Sequence, residues 1–300
     1  MTCITDNHLS TISRLFSSSV VHELSRKGKS PLFARLASET ALFSASKQSD
    51  VVGDLFEKAF SILSKKANRH EYVYKSALTQ NVLLGRHSLN TASMLTEFRV
   101  GRCKADLAIL NGTATAYEIK SERDSLTRLE RQIEAYRNVF AKVYVIAGEN
   151  HLDAIFESAP SDVGILKLTE RYSISTLREA LEKPQRTKSE VIFDSIQLYE
   201  AKKILALNGI QVPNVPNTEL YEVLHDLFIR LSPEIAHECM VRVLKKTRNL
   251  LPLSNMIKEL PQSLKSAALS IPLRKMDQTR LVEAVNTPVC QAMNLSLIHI

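Results

Sequence analysis

No stretch of this sequence approaches the ~18 consecutive apolar residues of a membrane-spanning helix, and its N-terminus lacks an apolar signal core. A soluble, cytoplasmic protein with no membrane partner is expected. Cysteine is scarce: Cys3, Cys103, Cys239 and Cys290 are scattered without the paired spacing of a zinc site, which predicts reduced thiols in a reducing compartment. His237-Glu238 has no second histidine four residues on, so the helix of a zinc protease is excluded. Internal repeats are absent. A charge excess is missing from the middle of the chain, where residues 71–185 hold 15 Lys+Arg and 15 Asp+Glu. The net +7 comes from the flanks, with 10 basic against 6 acidic residues in the first 70 and 14 against 11 in residues 186–300. Such flanks suit a polyanion gripped by the ends and handled in the middle, although many proteins with this charge touch no nucleic acid.

What the neutral middle does contain is an acid, acid-x-lysine constellation. Asp106 is followed twelve residues later by Glu118-Ile119-Lys120. A strand sends alternate residues to one face, so Glu118 and Lys120 point the same way and Ile119 the other. Two carboxylates hold a divalent cation, and a neighbouring ammonium orients the attacking water or neutralises charge building on phosphorus. These are the parts of a metal-dependent phosphodiester-cleaving site. Their donors are hard oxygens without sulfur or imidazole, which predicts Mg²⁺ or Mn²⁺ rather than zinc.

The spacing alone is a weak pattern, and its context strengthens it. Leu107 to Leu110 is a short apolar run, Asn111-Gly112 a hairpin signal, and Thr113 to Lys120 a return strand. A helix is expected to follow directly, capped by Ser121 or Ser125, with Leu126, Leu129, Ile133, Tyr136 and Phe140 at helical spacing. Val143 to Ala147 and Gly164 to Leu168 read as further strands. The hairpin carries a constraint. A strict two-residue turn sets Asp106 opposite Tyr117 and turns Glu118 to the other face, so a metal site requires a three-residue type I plus bulge loop with Gly112 at positive φ, or a bulge near Asp106.

Ala105-Asp106 and Glu118-Ile119-Lys120 resemble the PD-(D/E)xK nuclease superfamily, with Ala105 in place of its proline. More closely, the runs Ala105 to Gly112, Tyr117 to Leu126 and Gln132 to Tyr136 are similar to a bacterial and prophage "sce" family of unknown function placed in that superfamily, over about residues 68–170. The resemblance implies an α/β restriction-endonuclease-like core, a mixed central sheet flanked by helices, and a hydrolase acting on nucleic acid, with DNA ahead of RNA. It names no substrate.

Other residues rank around that centre. Glu97 and the helix-borne Glu71 are candidate additional metal ligands, each weighed evenly against an ordinary surface acid. Gln132 and Tyr136 stack on one helix face; Gln132 is a candidate to orient water or phosphate, and Tyr136 is read as core with its hydroxyl near the site and as a nucleic-acid contact. Arg99, Arg102 and Lys104, and the loop Gly85-Arg86-His87-Ser88, are candidate phosphate contacts, although charged flanks are usually only solvated.

Three parts are expected along the chain: a helical N-terminal arm at 1–67, with helices near Ile12–Leu24, Pro31–Leu42 and Asp50–Lys65; the nuclease-like core at 68–183; and a helical C-terminal domain at 190–294, with helices over Val191–Leu207 and Thr218–Leu231. Arg242, Lys245, Lys246 and Arg248 crowd one stretch there, as a solvated basic face or a phosphate-contacting helix. The ending Leu295 to Ile300 matches the translation of a transposase mosaic-end adapter, so it is set aside from the fold and the natural chain is expected to continue past it. Two other functions compete with the nuclease: a regulator that binds DNA without cutting it, and a prophage interaction protein whose C-terminal helices hold a protein partner.

Overall fold

The computed structural model describes residues 6–44 and 46–297, with no side-chain description for residues 41, 43 and 294–297. The chain divides into two compact units, Met1–Gln80 with Glu170–Tyr172 and Leu251–Ile300, and Asn81–Thr169 with Ser173–Leu250. This division differs from the three parts read in the sequence. Residues 190–250 belong with the sheet and the later residues with the N-terminal helices.

The first unit begins with α1 (Asp6–Arg14), α2 (Ser18–Lys27), α3 (Pro31–Ser38), α4 (Ala41–Ser44), α5 (Val52–Leu63) and α6 (Glu71–Leu78). The helix expected across Ile12–Leu24 is broken after Arg14, because Ser17 takes a β conformation and its hydroxyl accepts the Val20 amide as an N-cap. Pro31 opens α3 behind the Ser30 cap, and that helix ends at Ser38 rather than reaching Leu42.

The second unit is built on β1 (Ser93–Val100), β2 (Cys103–Asn111), β3 (Thr113–Lys120), β4 (Lys142–Ala147), β5 (Gly164–Leu168) and β6 (Ile174–Arg178), in that order across one sheet. The first three strands form an antiparallel meander; β4 and β5 join in parallel, and β6 closes the edge antiparallel. The parallel joins need crossovers, which α7 (Leu129–Arg137) and α8 (Leu152–Ser158) supply. The result is the expected mixed sheet flanked by helices, with β6 an addition. Gly164 sits where any Cβ would collide with the Tyr144 ring and crowd the Ala180 amide, so only glycine lets β5 lie this close to its neighbours.

The helix expected straight after β3 starts instead at Leu129. Asp124 accepts both the amide and the hydroxyl of Ser121, and the Ser125 hydroxyl accepts the Thr127 amide. These local side-chain bonds compete with the helix ladder, so Ser121 and Ser125 hold a turn rather than a cap. Four more helices follow, α9 (Ser189–Ser195), α10 (Leu198–Leu207), α11 (Leu220–Phe228) and α12 (Pro233–Thr247). The continuous helix read over Val191–Leu207 is thus two. Glu200 accepts the Gln197 amide at 2.9 Å and restarts the chain as α10. Ile192, Phe193, Ile204, Phe228, Met240 and Leu244 join Val100, Ala108, Ala116 and Val145 of the sheet in one buried cluster. That shared core explains why these helices do not form a domain of their own.

The chain then returns to the first unit with α13 (Ser254–Glu259), α14 (Lys265–Leu269), α15 (Lys275–Val285) and α16 (Val289–Leu297). The N-terminal and C-terminal stretches are stitched together by an isolated bridge between Val51 and Pro288, by Val52 donating to Thr287 at 3.0 Å, and by Val289 donating to Asp50 at 2.9 Å. Of the adapter-like ending, residues 295–297 continue α16 and residues 298–300 lie outside the described residues. Among the described residues no helix is long and apolar enough to cross a membrane.

Buried His237 of α12 accepts the Ala141 amide at 3.3 Å through Nε2, which ties α12 to the entry of β4. Burial pushes its pKa down from 6.5 to about 4, with Glu182 opposing weakly. A group depressed on folding contributes stability above its unfolded pKa and loses it as pH falls through the folded value. Urea-unfolding stability should therefore decline between about pH 6.5 and 4 by roughly 3 kcal/mol from this ring alone. His237→Gln, which keeps an acceptor but cannot titrate, should flatten that part of the profile; an unchanged slope would remove His237 as its source.

Candidate functional site

The site rests on the register of the β2–β3 hairpin. Asn111 pairs with Thr113, Leu110 with Ala114 and Leu107 with Tyr117. The Leu110–Ala114 pair encloses three residues, and Gly112 takes φ 71°, the left-handed value that glycine adopts without steric cost. Continued by one step, this register sets Asp106 across from Glu118, the same-face arrangement a metal site requires. The paired ladder ends at Leu107–Tyr117. Beyond it the Asp106 side chain takes over, its Oδ2 accepting the Ile119 amide at 2.7 Å. One carboxylate oxygen of Asp106 thus holds the end of β3.

Glu118, Lys120, Gln132 and Tyr136 meet as one cluster. Lys120 Nζ lies 2.8 Å from Glu118 Oε1 and donates to Gln132 Oε1 at 2.9 Å. The Tyr136 hydroxyl has two acceptors for its one proton, Glu118 Oε2 at 2.8 Å and the Lys104 carbonyl at 2.6 Å, and Gln132 Nε2 donates to that hydroxyl at 3.5 Å. Glu118 and Lys120 are 1% and 5% exposed, so the ion pair is effectively dry. Burial pushes the Glu118 pKa above the usual carboxylate range, against the opposing pull of Lys120, Tyr136 and Gln132. It also pushes the Tyr136 phenol up, helped by the negative charge of Glu118. Low dielectric makes this network strong while it is complete and costly once broken.

Glu97 lies on β1 with its carboxylate oxygen within 4.8 Å of one on Asp106. Its backbone is left-handed at φ 52°, and the β1–β2 pairing skips the Glu97–Asp106 step between Thr96–Leu107 and Phe98–Ala105. A non-glycine residue in that region carries strain of order 1 kcal/mol or more. The donors of Glu97 and Asp106 are hard carboxylate oxygens, the kind that could hold a divalent cation of the Mg²⁺ or Mn²⁺ class.

Several candidates fall elsewhere. Tyr136 stays in the cluster as the core residue it was read to be, with its hydroxyl on Glu118, and its full burial removes it only as a nucleic-acid contact. Arg86 lies outside the cluster: its charge acts on Tyr117 and Tyr144, whose rings stack at 5.6 Å, and Tyr117 alternates with Glu118 to the opposite face. Arg99, Arg102 and Lys104 are exposed around the β1–β2 turn, with Arg99 donating to the Gly101 carbonyl. Glu71, on α6 of the first unit, is a different case: it pairs with Lys75 one turn on and keeps its standing as a candidate ligand. Arg248 is committed too. It pairs with Glu200 at 2.8 Å and stacks over Phe98. Two participants were invisible in the sequence, the Ile119 amide and the Lys104 carbonyl, because backbone groups carry no residue signature.

The family described as Bacteriophage P4 protein cII matches residues 64–267, about two thirds of the chain, and the chain belongs to that family. It takes the place of the "sce" family to which the motifs are similar. Protein cII of Enterobacteria phage P4 is 29% identical over 159 residues, which cover 51% of this chain and 56% of that protein, so the chain spans about half the length of this curated relative. No solved structure matches.

Removing one half of a buried pair should cost more than removing both. Lys120→Met is expected to destabilise by about 3–5 kcal/mol, and Glu118→Leu/Lys120→Met by clearly less. Because folding raises the Glu118 pKa, its ionised form is the disfavoured one, so the Lys120→Met penalty should shrink as pH falls toward that pKa. Urea melts across pH would show both effects; additive single costs would mean that the two side chains are not coupled.

Proposed function

We propose that this member of the bacteriophage P4 protein cII family is a metal-dependent phosphodiesterase acting on nucleic acid, DNA in the first instance, on a PD-(D/E)xK-like sheet. The observation that carries the reading is the register that faces Asp106 toward Glu118 with Lys120 on the same side. Asp106, Glu97 and, once parted from Lys120, Glu118 would hold Mg²⁺ or Mn²⁺. Such an ion, when bound, polarises the phosphoryl oxygen and acidifies water.

The protein's own groups supply the rest. Lys120, held at a fixed position by Glu118 and Gln132, is suited to hold the attacking water or to balance charge in the transition state. Tyr136 and the Ile119 amide each hold one oxygen of the two carboxylates, so the rearrangement left for metal or substrate is the parting of Glu118 from Lys120. Arg99, Arg102 and Lys104, which are exposed, would meet phosphates without reading bases. A cytoplasmic place of action goes with this chemistry.

A second reading is a regulator or interaction module that does not cleave. It is favoured by the closure of Glu118, whose two oxygens are both bonded within the protein, and by a family description that names no reaction. Purified protein incubated with plasmid, linear duplex, single-stranded DNA and RNA, in Mg²⁺, Mn²⁺ or chelator, separates the two. Cleavage that needs the ion, is lost in Asp106→Ala and Glu118→Ala, and slows about 10²-fold or more in Lys120→Ala with binding kept is the expected result. Binding without cleavage of any of the four substrates gives the second reading. Cleavage in chelator that survives both carboxylate changes would sink the metal site.

A further inference from the structure

Helices α10 and α12 of the second unit leave a cleft of about 370 Å³ between them. Its floor is aliphatic, made by Ala206, Leu207 and Val243, and its rim carries Lys203, Arg242 and Lys246, with no carboxylate lining it. We propose that this cleft docks an acidic peptide segment of a partner protein through one apolar anchor side chain. Leu207 is 46% exposed, a large apolar side chain left open to solvent over about half its surface. Among the described residues none of the three cations forms an ion pair, and Glu238, one turn before Arg242, forms none with it.

The neighbouring basic residue shows the contrast. Arg248 on the same helix end is neutralised by Glu200, which also accepts from Thr247. The local acid is therefore already used. A helix C-terminus favours cations in its last turn, which accounts for Lys245 and Lys246 but for neither Arg242 nor Lys203. What remains is an unneutralised cationic rim around an apolar floor, complementary to acidic side chains flanking a leucine, isoleucine or phenylalanine. A single-stranded nucleic acid fits less well. Bases stack on aromatic faces, and the exposed ring of Tyr199 has the Lys203 ammonium over it at 5.3 Å from its centroid.

The inference is independent of cleavage. Its test is selection of random peptides of about twelve residues, displayed on yeast, against the full chain and against Arg242→Glu/Lys246→Glu, exposed positions whose change leaves the fold to be verified by circular dichroism. Enriched peptides should be acidic around one Leu, Ile or Phe, should lose about tenfold or more in affinity for the double variant, and should weaken severalfold on Leu207→Ser. A labelled single-stranded oligonucleotide measured alongside should change less than about twofold. No enrichment, enrichment without acidic bias, or unchanged binding to the variant overturns the proposal. So does an oligonucleotide loss as large as the peptide loss, which would make the cleft a nucleic-acid contact.

Discussion

The candidate site depends on the parity of one hairpin. Side chains alternate along a strand, so moving β3 by one residue against β2 would send Glu118 and Lys120 to the far face and bring Tyr117 and Ile119 in their place. The three-residue connection with Gly112 at φ 71° sets the even register. Asp106 then reinforces it by accepting the Ile119 amide where the backbone ladder stops. Sheet register and site geometry are thus one constraint.

That constraint places two charges where water is scarce. Glu118 and Lys120 are stable there because each has further polar partners: Tyr136 on the second carboxylate oxygen and Gln132 on the ammonium. Residues of one helix, α7, therefore support both members of the pair. The same closure separates the two functional readings. A dry, fully bonded ion pair is a pre-organised site if substrate or metal displaces part of it, and a structural device if nothing does.

Charge elsewhere in the second unit follows the same logic of neutralisation. Arg186 and Arg137 both pair with Asp162, and Arg248 with Glu200, so these guanidinium groups brace the fold. Lys203, Arg242 and Lys246 are arranged differently, around an aliphatic cleft with no acid among its lining. Counting basic residues along residues 242–248 cannot distinguish these uses. The distinction lies in which carboxylate the fold brings within reach.

The succession of β2, β3, β4 and β5, the hairpin at Asn111-Gly112 and the spacing of an acid before Glu-x-Lys were legible in the sequence, because alternation, turn chemistry and residue type are local, whereas β6 was not. So was the conditional rule that a metal site demands an even register. Helix ends were less legible. Ser17, Ser121 and Ser125 could cap, break or turn, and the choice rests on bonds to neighbours such as Asp124. The helical spacing of Tyr136 with Leu129 and Ile133 did mark it as core, but nothing local announced that Glu97 is left-handed or that residues 190–250 share a core with the sheet. Those facts come from contacts between residues far apart in the chain, and only the tertiary structure decides them, since burial and electrostatic partnership belong to the assembled core and not to any segment of it.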